Sequence, residues 1–205
     1  KNALKEHGYD EDVMQFIDDT TRESSYELLQ QEKYVDVIIP RGGEGLKKFI
    51  LQNAKMPVIA SAGGNCHVYV EKTADFDIAT RVILNAKTQR VSVCNAIEHV
   101  LVDEEIASSF VPSIVKALRE KNVTVKGDEF CSKFDGVLPM TSEDDDTEYL
   151  DYVISIRVVK GEKEAIEHIN AHSTNHSEAI ITKDGKKAEE FLRSVDSACV
   201  YVNTS

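Results

Sequence analysis

Cys94 is the residue in this chain whose neighbours most suggest chemistry. It lies in KTQRVSVCNA, Lys87 to Ala96, beside the polar Ser92 and Asn95 and downstream of the cations Lys87 and Arg90. Positive surroundings lower a thiol pKa and favour the thiolate, which is the nucleophilic form. A satisfied buried thiol is the competing reading, and the residues alone leave both open. A cysteine hydrolase would also need a base, for which His67, His99, His172 and His176 are all candidates. No spacing selects among them. Cys66 reads as structural, Cys199 in ACVYVN as a small core residue, and Cys131 has no chemical context. None of the four forms a CxxC pair, so neither a zinc site nor a disulfide framework is indicated, and a reducing cytoplasm fits.

Two glycine-rich turns are the next candidates. VIIPRGGEGLKK sets Arg41, Gly42, Gly43 and Gly45 between a strand pattern and a helix pattern. Glycine there permits close backbone approach, and a helix N-terminus favours an anionic ligand. The motif is neither GxGxxG nor a Walker loop, and an ordinary tight turn explains it equally well. The second turn, SAGGNCHVYV, leads through Asn65, Cys66 and His67 into a strand. The acidic run SEDDDTE at 142–148 lacks the alternating ligands and glycine of a calcium loop and is expected to be a solvated surface loop. No metal site is expected.

Strand and helix patterns that could position these residues alternate along most of the chain. VDVIIP, the helix to about Asn53 and PVIA read as one βαβ unit. Phe76, Ala79, Ile83 and Ala86 fall at helical spacing before Cys94, and HVLV reads as the strand after it. Phe110, Ile114 and Leu118 mark another helix, whose first turn would hold Pro112. VTV is a strand, and 127–147 looks irregular. YVISIRVV, EKEAIEHINA, EAIITK, KKAEEFLRSV and ACVYVN then supply β-α-β-α-β. The fold class is α/β, with helices layered on mostly parallel sheets.

Composition limits the partners. With 36 acidic against 24 basic residues the formal net charge is −12, which argues against nucleic acid or an anionic membrane surface. No apolar run approaches the roughly 20 residues of a membrane helix. An anionic small molecule remains open if local cations or helix N-termini receive it.

Together, DVIIPRGGEGL, GGNCHVYV, ADFDIATRVILNAKTQRVSVCNA, TEYLDYVISIRVV, EAIEHINAHSTNHSEAIIT and VDSACVYVN resemble one family in order and over essentially the whole chain. That family is the γ-glutamyl phosphate reductases (glutamate-5-semialdehyde dehydrogenases), a branch of the aldehyde dehydrogenase superfamily. The resemblance implies an aldehyde dehydrogenase-like fold, with the second half of a Rossmann-like cofactor domain at 1–62 and a three-layer α/β/α catalytic domain at 63–203. It implies NADPH-dependent reduction of L-glutamate 5-phosphate in proline biosynthesis, through a thioacyl enzyme on Cys94. Arg41, Gly42, Gly43 and Gly45 would lie against the cofactor, and Glu148 would hold its nicotinamide ribose. Asn65, Lys87, Arg90, Asn95, His176 and Ser177 would surround the substrate, while His172 would be a surface helix end. Val91 replaces the proline usual in the family, which implies a slightly altered loop. Ser61 stands where hydrolytic relatives carry a glutamate base, so water should attack the thioacyl enzyme slowly. The family's enzyme starts before Lys1 and runs past Ser205, so these residues alone are expected to be inactive. A homo-oligomer of the full-length enzyme is left open. The competing functions are a cysteine hydrolase and a catalytically silent fragment.

Overall fold

The computed structural model describes residues 1–60 and 63–205. The chain forms two compact units, Lys1–Ser61 and Ala62–Ser205.

The first unit carries helices α1 (Asn2–Glu6), α2 (Arg22–Leu28) and α3 (Glu44–Asn53). The βαβ pattern is only partly realised. α3 forms, but the flanking strands reduce to a single parallel bridge between Ile38 and Val58. The Ile38 N–H donates to the Pro57 carbonyl at 2.9 Å and the Ile59 N–H to the Ile38 carbonyl at 2.8 Å. Parallel strands persist where both faces are covered; here Ile39 and Ile59 are exposed.

The second unit is a seven-stranded, wholly parallel sheet in the order β4-β3-β5-β2-β1-β6-β7. Its elements are β1 (Cys66–Val70), α4 (Phe76–Thr88), β2 (Ile97–Asp103), α5 (Glu104–Glu120), β3 (Thr124–Gly127), β4 (Val137–Pro139), β5 (Val153–Val159), α6 (Glu162–His172), β6 (Ser177–Ile181), α7 (Gly185–Ser194) and β7 (Cys199–Val202). Side chains alternate across a strand. Val68, Val100, Ile154 and Ile156 therefore meet Ala79 and Ile83 of α4 and Phe110, Ile114 and Leu118 of α5 on one face. Tyr69, Leu101, Val159 and Ile180 meet Ala165 and Ile169 of α6 and Phe191 of α7 on the other. Three layers result. Asp75 caps α4 by accepting from the Asp77 and Ile78 N–H groups at 3.1 and 3.3 Å.

Three local expectations change. α5 begins at Glu104, capped by Asp103, so Pro112 falls inside the helix rather than in its first turn. The acidic run is a 3-10 turn, Ser142–Asp146, with Asp144 and Asp145 buried. Lys126 reaches Asp144 at 2.5 Å and Arg157 grips Asp145 with contacts of 2.6 and 2.8 Å, so two of the charges are paired, not solvated. Cys199 is exposed, because β7 is the sheet's edge strand.

Candidate active site

Cys94 lies on the turn between α4 and β2, with its side chain exposed. The turns holding most other candidates in this unit, Gly63–Asn65 before β1, Glu148–Tyr152 before β5 and Thr174–His176 before β6, likewise stand at amino ends of parallel strands. Open doubly wound sheets usually hold ligands at the carboxyl ends. Here most candidate residues fall on the turns that lead into the strands, and strand order says nothing of that choice.

The backbone of Cys94 is tightly held. A Cβ on Gly64 would lie 1.6 Å from the Cys94 carbonyl oxygen and 2.7 Å from its Cα, so the two chains touch where no side chain fits. The Cys66 thiol donates to the same carbonyl at 3.3 Å. Burial drives the Cys66 thiol far above its usual pKa, which makes it a support and not a second nucleophile. Among the described residues the Cys94 N–H has no hydrogen-bond acceptor. A donor of that kind can receive charge developing on a substrate oxygen.

Gly64 is itself anchored. Its N–H donates to Glu148 Oε1 at 2.7 Å, and the neighbouring Gly63 carbonyl accepts from the Thr174 hydroxyl at 2.6 Å. The Asn65 N–H donates to the same hydroxyl oxygen at 3.0 Å. Asn65, expected at the substrate, is instead buried with its amide fully engaged. Its Nδ2 donates to the Asp145 and His172 carbonyls, each at 2.9 Å, so its Oδ1 must face His99 Nε2 at 2.5 Å. That fixes the proton of His99 on Nε2, leaving Nδ1 to accept from the Ser155 hydroxyl at 2.6 Å. Burial, with smaller effects from His67 and His168, holds His99 well below its ordinary pKa and therefore neutral.

The other three candidate bases are engaged as well. His67 Nδ1 lies 3.2 Å from Glu178 Oε2, His172 Nδ1 is 2.8 Å from Asp146, and His176 Nδ1 is 2.8 Å from the Ser177 hydroxyl. Among the described residues no histidine nitrogen bonds the Cys94 thiol. A Cys–His pair is not assembled.

Arg90 and Asn95 are exposed and line a surface pocket of about 240 Å³ beside Val93. Asn95 and Ser177 also share a narrow cleft that reaches Tyr201. Lys87 behaves differently from its expectation. It is fully buried, and its Nζ lies 2.6 Å from the equally buried Glu98, so it offers no cation to an incoming anion. Burial pushes the Glu98 carboxyl up to about 7 and lowers the Lys87 ammonium. Arg41, Gly42, Gly43 and Gly45 belong to the first unit, the first three in the exposed segment leading into α3 and Gly45 in its first turn. Ser61 lies outside the described residues.

Sequence reasoning missed Glu98, Thr174 and Ser155. Glu98 and His99 had a signal, since ionisable residues inside a run as apolar as IEHVLVD need partners if the strand is buried on both faces. Thr174 had none.

Residues 1–153 and 145–205 match the aldehyde dehydrogenase family. The chain is 50% identical over 205 residues to the gamma-glutamyl phosphate reductase of Lachnospira eligens, covering 100% of this chain and 49% of that protein. The solved gamma-glutamyl phosphate reductase from Thermotoga maritima superposes with a TM-score of 0.96 and 46% identity, over 100% of this chain and 50% of its own. A glyceraldehyde-3-phosphate dehydrogenase from Methanocaldococcus jannaschii complexed with NADP shares the fold at a TM-score of 0.76 and 22% identity, over 100% of this chain and 53% of that one. The chain spans about half the length of the relatives it matches.

Proposed function

The chain belongs to the aldehyde dehydrogenase family, and from that membership we propose that its whole protein reduces L-glutamate 5-phosphate to glutamate 5-semialdehyde with NADPH, in proline biosynthesis. The observation that carries this is Cys94: an exposed thiol on a turn whose carbonyl is clamped by Gly64 and Cys66 and whose N–H meets no acceptor among the described residues. The relatives at about half identity are named for this reaction.

The chemistry follows from the groups present. An acyl phosphate carries a good leaving group, so the Cys94 thiolate attacks its carbonyl carbon, phosphate departs, and a thioacyl enzyme remains. The Cys94 N–H is placed to donate to the carbonyl oxygen as charge gathers there. Bound NADPH supplies the hydride. Reduced to a thiohemiacetal, the adduct collapses and returns the thiolate. Glu148 suits the ribose role because one carboxylate oxygen is fixed by the Gly64 N–H while the half-buried side chain keeps a second oxygen for a hydroxyl. Arg90 and Asn95 are the polar groups at the pocket for the anionic substrate, with Ser177 lining the shared cleft and His176 next to it in sequence. Lys87 and Asn65 act on the frame.

No helix among the described residues is long and apolar enough to cross a membrane, and the four cysteines are free, which suits a reducing cytoplasm. The test is full-length protein with γ-glutamyl phosphate and NADPH. Loss of nicotinamide absorbance in step with phosphate release is expected; thioester or amide hydrolysis without nucleotide would overturn the reading. The engaged histidines count against that hydrolytic alternative.

A further inference from the structure

Three consecutive residues, Glu148, Tyr149 and Leu150, are each tied to a different part of the second unit. Glu148 Oε1 accepts from the Gly64 N–H at 2.7 Å. The Tyr149 hydroxyl donates to Asp144 at 2.9 Å. The Leu150 N–H donates to Glu98 Oε1 at 3.3 Å. Leu150 holds φ at +52°, a left-handed conformation that a branched side chain rarely adopts. A residue in such a conformation persists only where its surroundings over-determine it. The surroundings here are the buried pair: Glu98 Oε2 is held by Lys87 Nζ at 2.6 Å, which turns Oε1 towards Leu150. Both side chains are completely inaccessible to solvent.

A buried ion pair is poor evidence for stability, because apolar residues of similar volume often serve as well or better. What an apolar pair cannot supply is an acceptor for the Leu150 N–H. We infer that Lys87 and Glu98 are positioning residues: they fix the turn at Leu150 and thereby aim Glu148 at the nicotinamide ribose while it anchors Gly64 against Cys94. The inference rests on the nucleotide-dependent reading above and goes beyond it in giving these two residues a task in cofactor binding without contact.

The test uses full-length protein and two double variants. Lys87→Met with Glu98→Leu removes the pair and the acceptor. Lys87→Met with Glu98→Gln removes the charges but keeps an amide oxygen for Leu150. Calorimetry should show NADPH binding weakened at least about ten-fold in the first, the scale of a lost hydrogen bond to a charged group, and restored to within about three-fold of wild type in the second. Both should melt near the wild-type temperature. Equal nucleotide affinity in the two variants, weak or strong, would overturn the inference, since a purely structural pair gives no reason for the acceptor to matter. Should the Met/Leu variant not fold, amide exchange decides. Leu150 should be protected in wild type and in the Met/Gln variant and lose protection in Lys87→Met with Glu98→Ala; protection that survives in that variant would overturn it. Wild-type protein that binds NADPH but leaves γ-glutamyl phosphate unreduced would refute the substrate reading alone.

Discussion

Replacing Gly64 by alanine isolates what the site demands of the backbone. The new Cβ would fall 1.6 Å from the Cys94 carbonyl oxygen, 2.4 Å from its carbon and 2.7 Å from its Cα, against the 3.0 Å below which real Cβ atoms essentially never approach. The obstacle is backbone, so no rotamer change relieves it, and one of the two turns must withdraw by more than an ångström. Displacements of about 1 Å at a reacting centre cost on the order of 100-fold in rate, equivalent to about 2.7 kcal/mol of barrier. Overpacking adds roughly 1–3 kcal/mol to the stability cost.

Two further alanines calibrate this. At Gly63 the new Cβ would meet Glu148 Oε2 at 2.8 Å, the far end of a side chain that can swing aside. At Gly185, in the first turn of α7, nothing lies within 4 Å. The expected order of lost turnover in full-length protein is Gly64→Ala well beyond Gly63→Ala, with Gly185→Ala unchanged. The rate of iodoacetamide labelling at Cys94, mapped by mass spectrometry, should change most in Gly64→Ala. If Gly64→Ala turned over within a few-fold of wild type, the clamp on Cys94 would not be what positions the nucleophile.

Cys94→Ser should abolish reduction and leave nucleotide binding nearly intact, because a hydroxyl is a far weaker nucleophile at neutral pH; retention of more than about a tenth of the rate, a change of only ~1.4 kcal/mol, would disqualify Cys94. His168 faces His67, His172, Arg157 and Asp145, and burial depresses it to about 3. A histidine depressed on folding contributes stability that is present above its unfolded value near 6.5 and is lost as pH falls towards the folded value. Between pH 7 and 5 that loss is about 2 kcal/mol, so urea unfolding of His168→Gln should show a fall smaller than wild type by that amount; parallel pH dependences would refute the assignment. Ser61→Glu should raise thioester hydrolysis relative to phosphate-dependent turnover, read by product analysis, and an unchanged ratio would count against placing a base there.

Much of the second unit was legible because buried parallel strands leave near-continuous apolar runs, as in CHVYV and YVISIRVV, and because helix faces repeat every three to four residues. β4 was not, being three residues long and ending in Pro139 at the sheet edge. Cys94 could be picked out from its neighbours, but the cation beside it was misread for a reason visible in the helix. Ala79, Ile83 and Lys87 are spaced four apart and form the fully buried stripe of α4. Lys87 continues the core face, and only an acidic partner such as Glu98 on β2 makes that tolerable. Periodicity contained the burial; the partner lay across a turn that no local pattern connects.

The same separation explains how one sheet face serves two ends. On the side covered by α6 and α7, the strands carry Tyr69, Leu101, Val159 and Ile180 towards their carboxyl ends, an apolar core. Two or more residues earlier the same rows hold His67, His99, Ser155 and Glu178, all buried and each bonded to a partner. A polar layer of this kind contributes less net stability than aliphatic packing would. It has directions, however, and apolar packing has none. His99 accepts from Ser155 and donates to Asn65, Asn65 grips Asp145 and His172, and Asn65 immediately follows the glycine that meets Cys94. Each bond fixes the orientation of the next, so the position of the Cys94 turn is specified from within the sheet. Substituting Ser155 by alanine, far from the thiol in sequence and bonded to His99, should therefore disturb Cys94 labelling more than Val159→Ala at the apolar end, even though the latter removes more buried carbon.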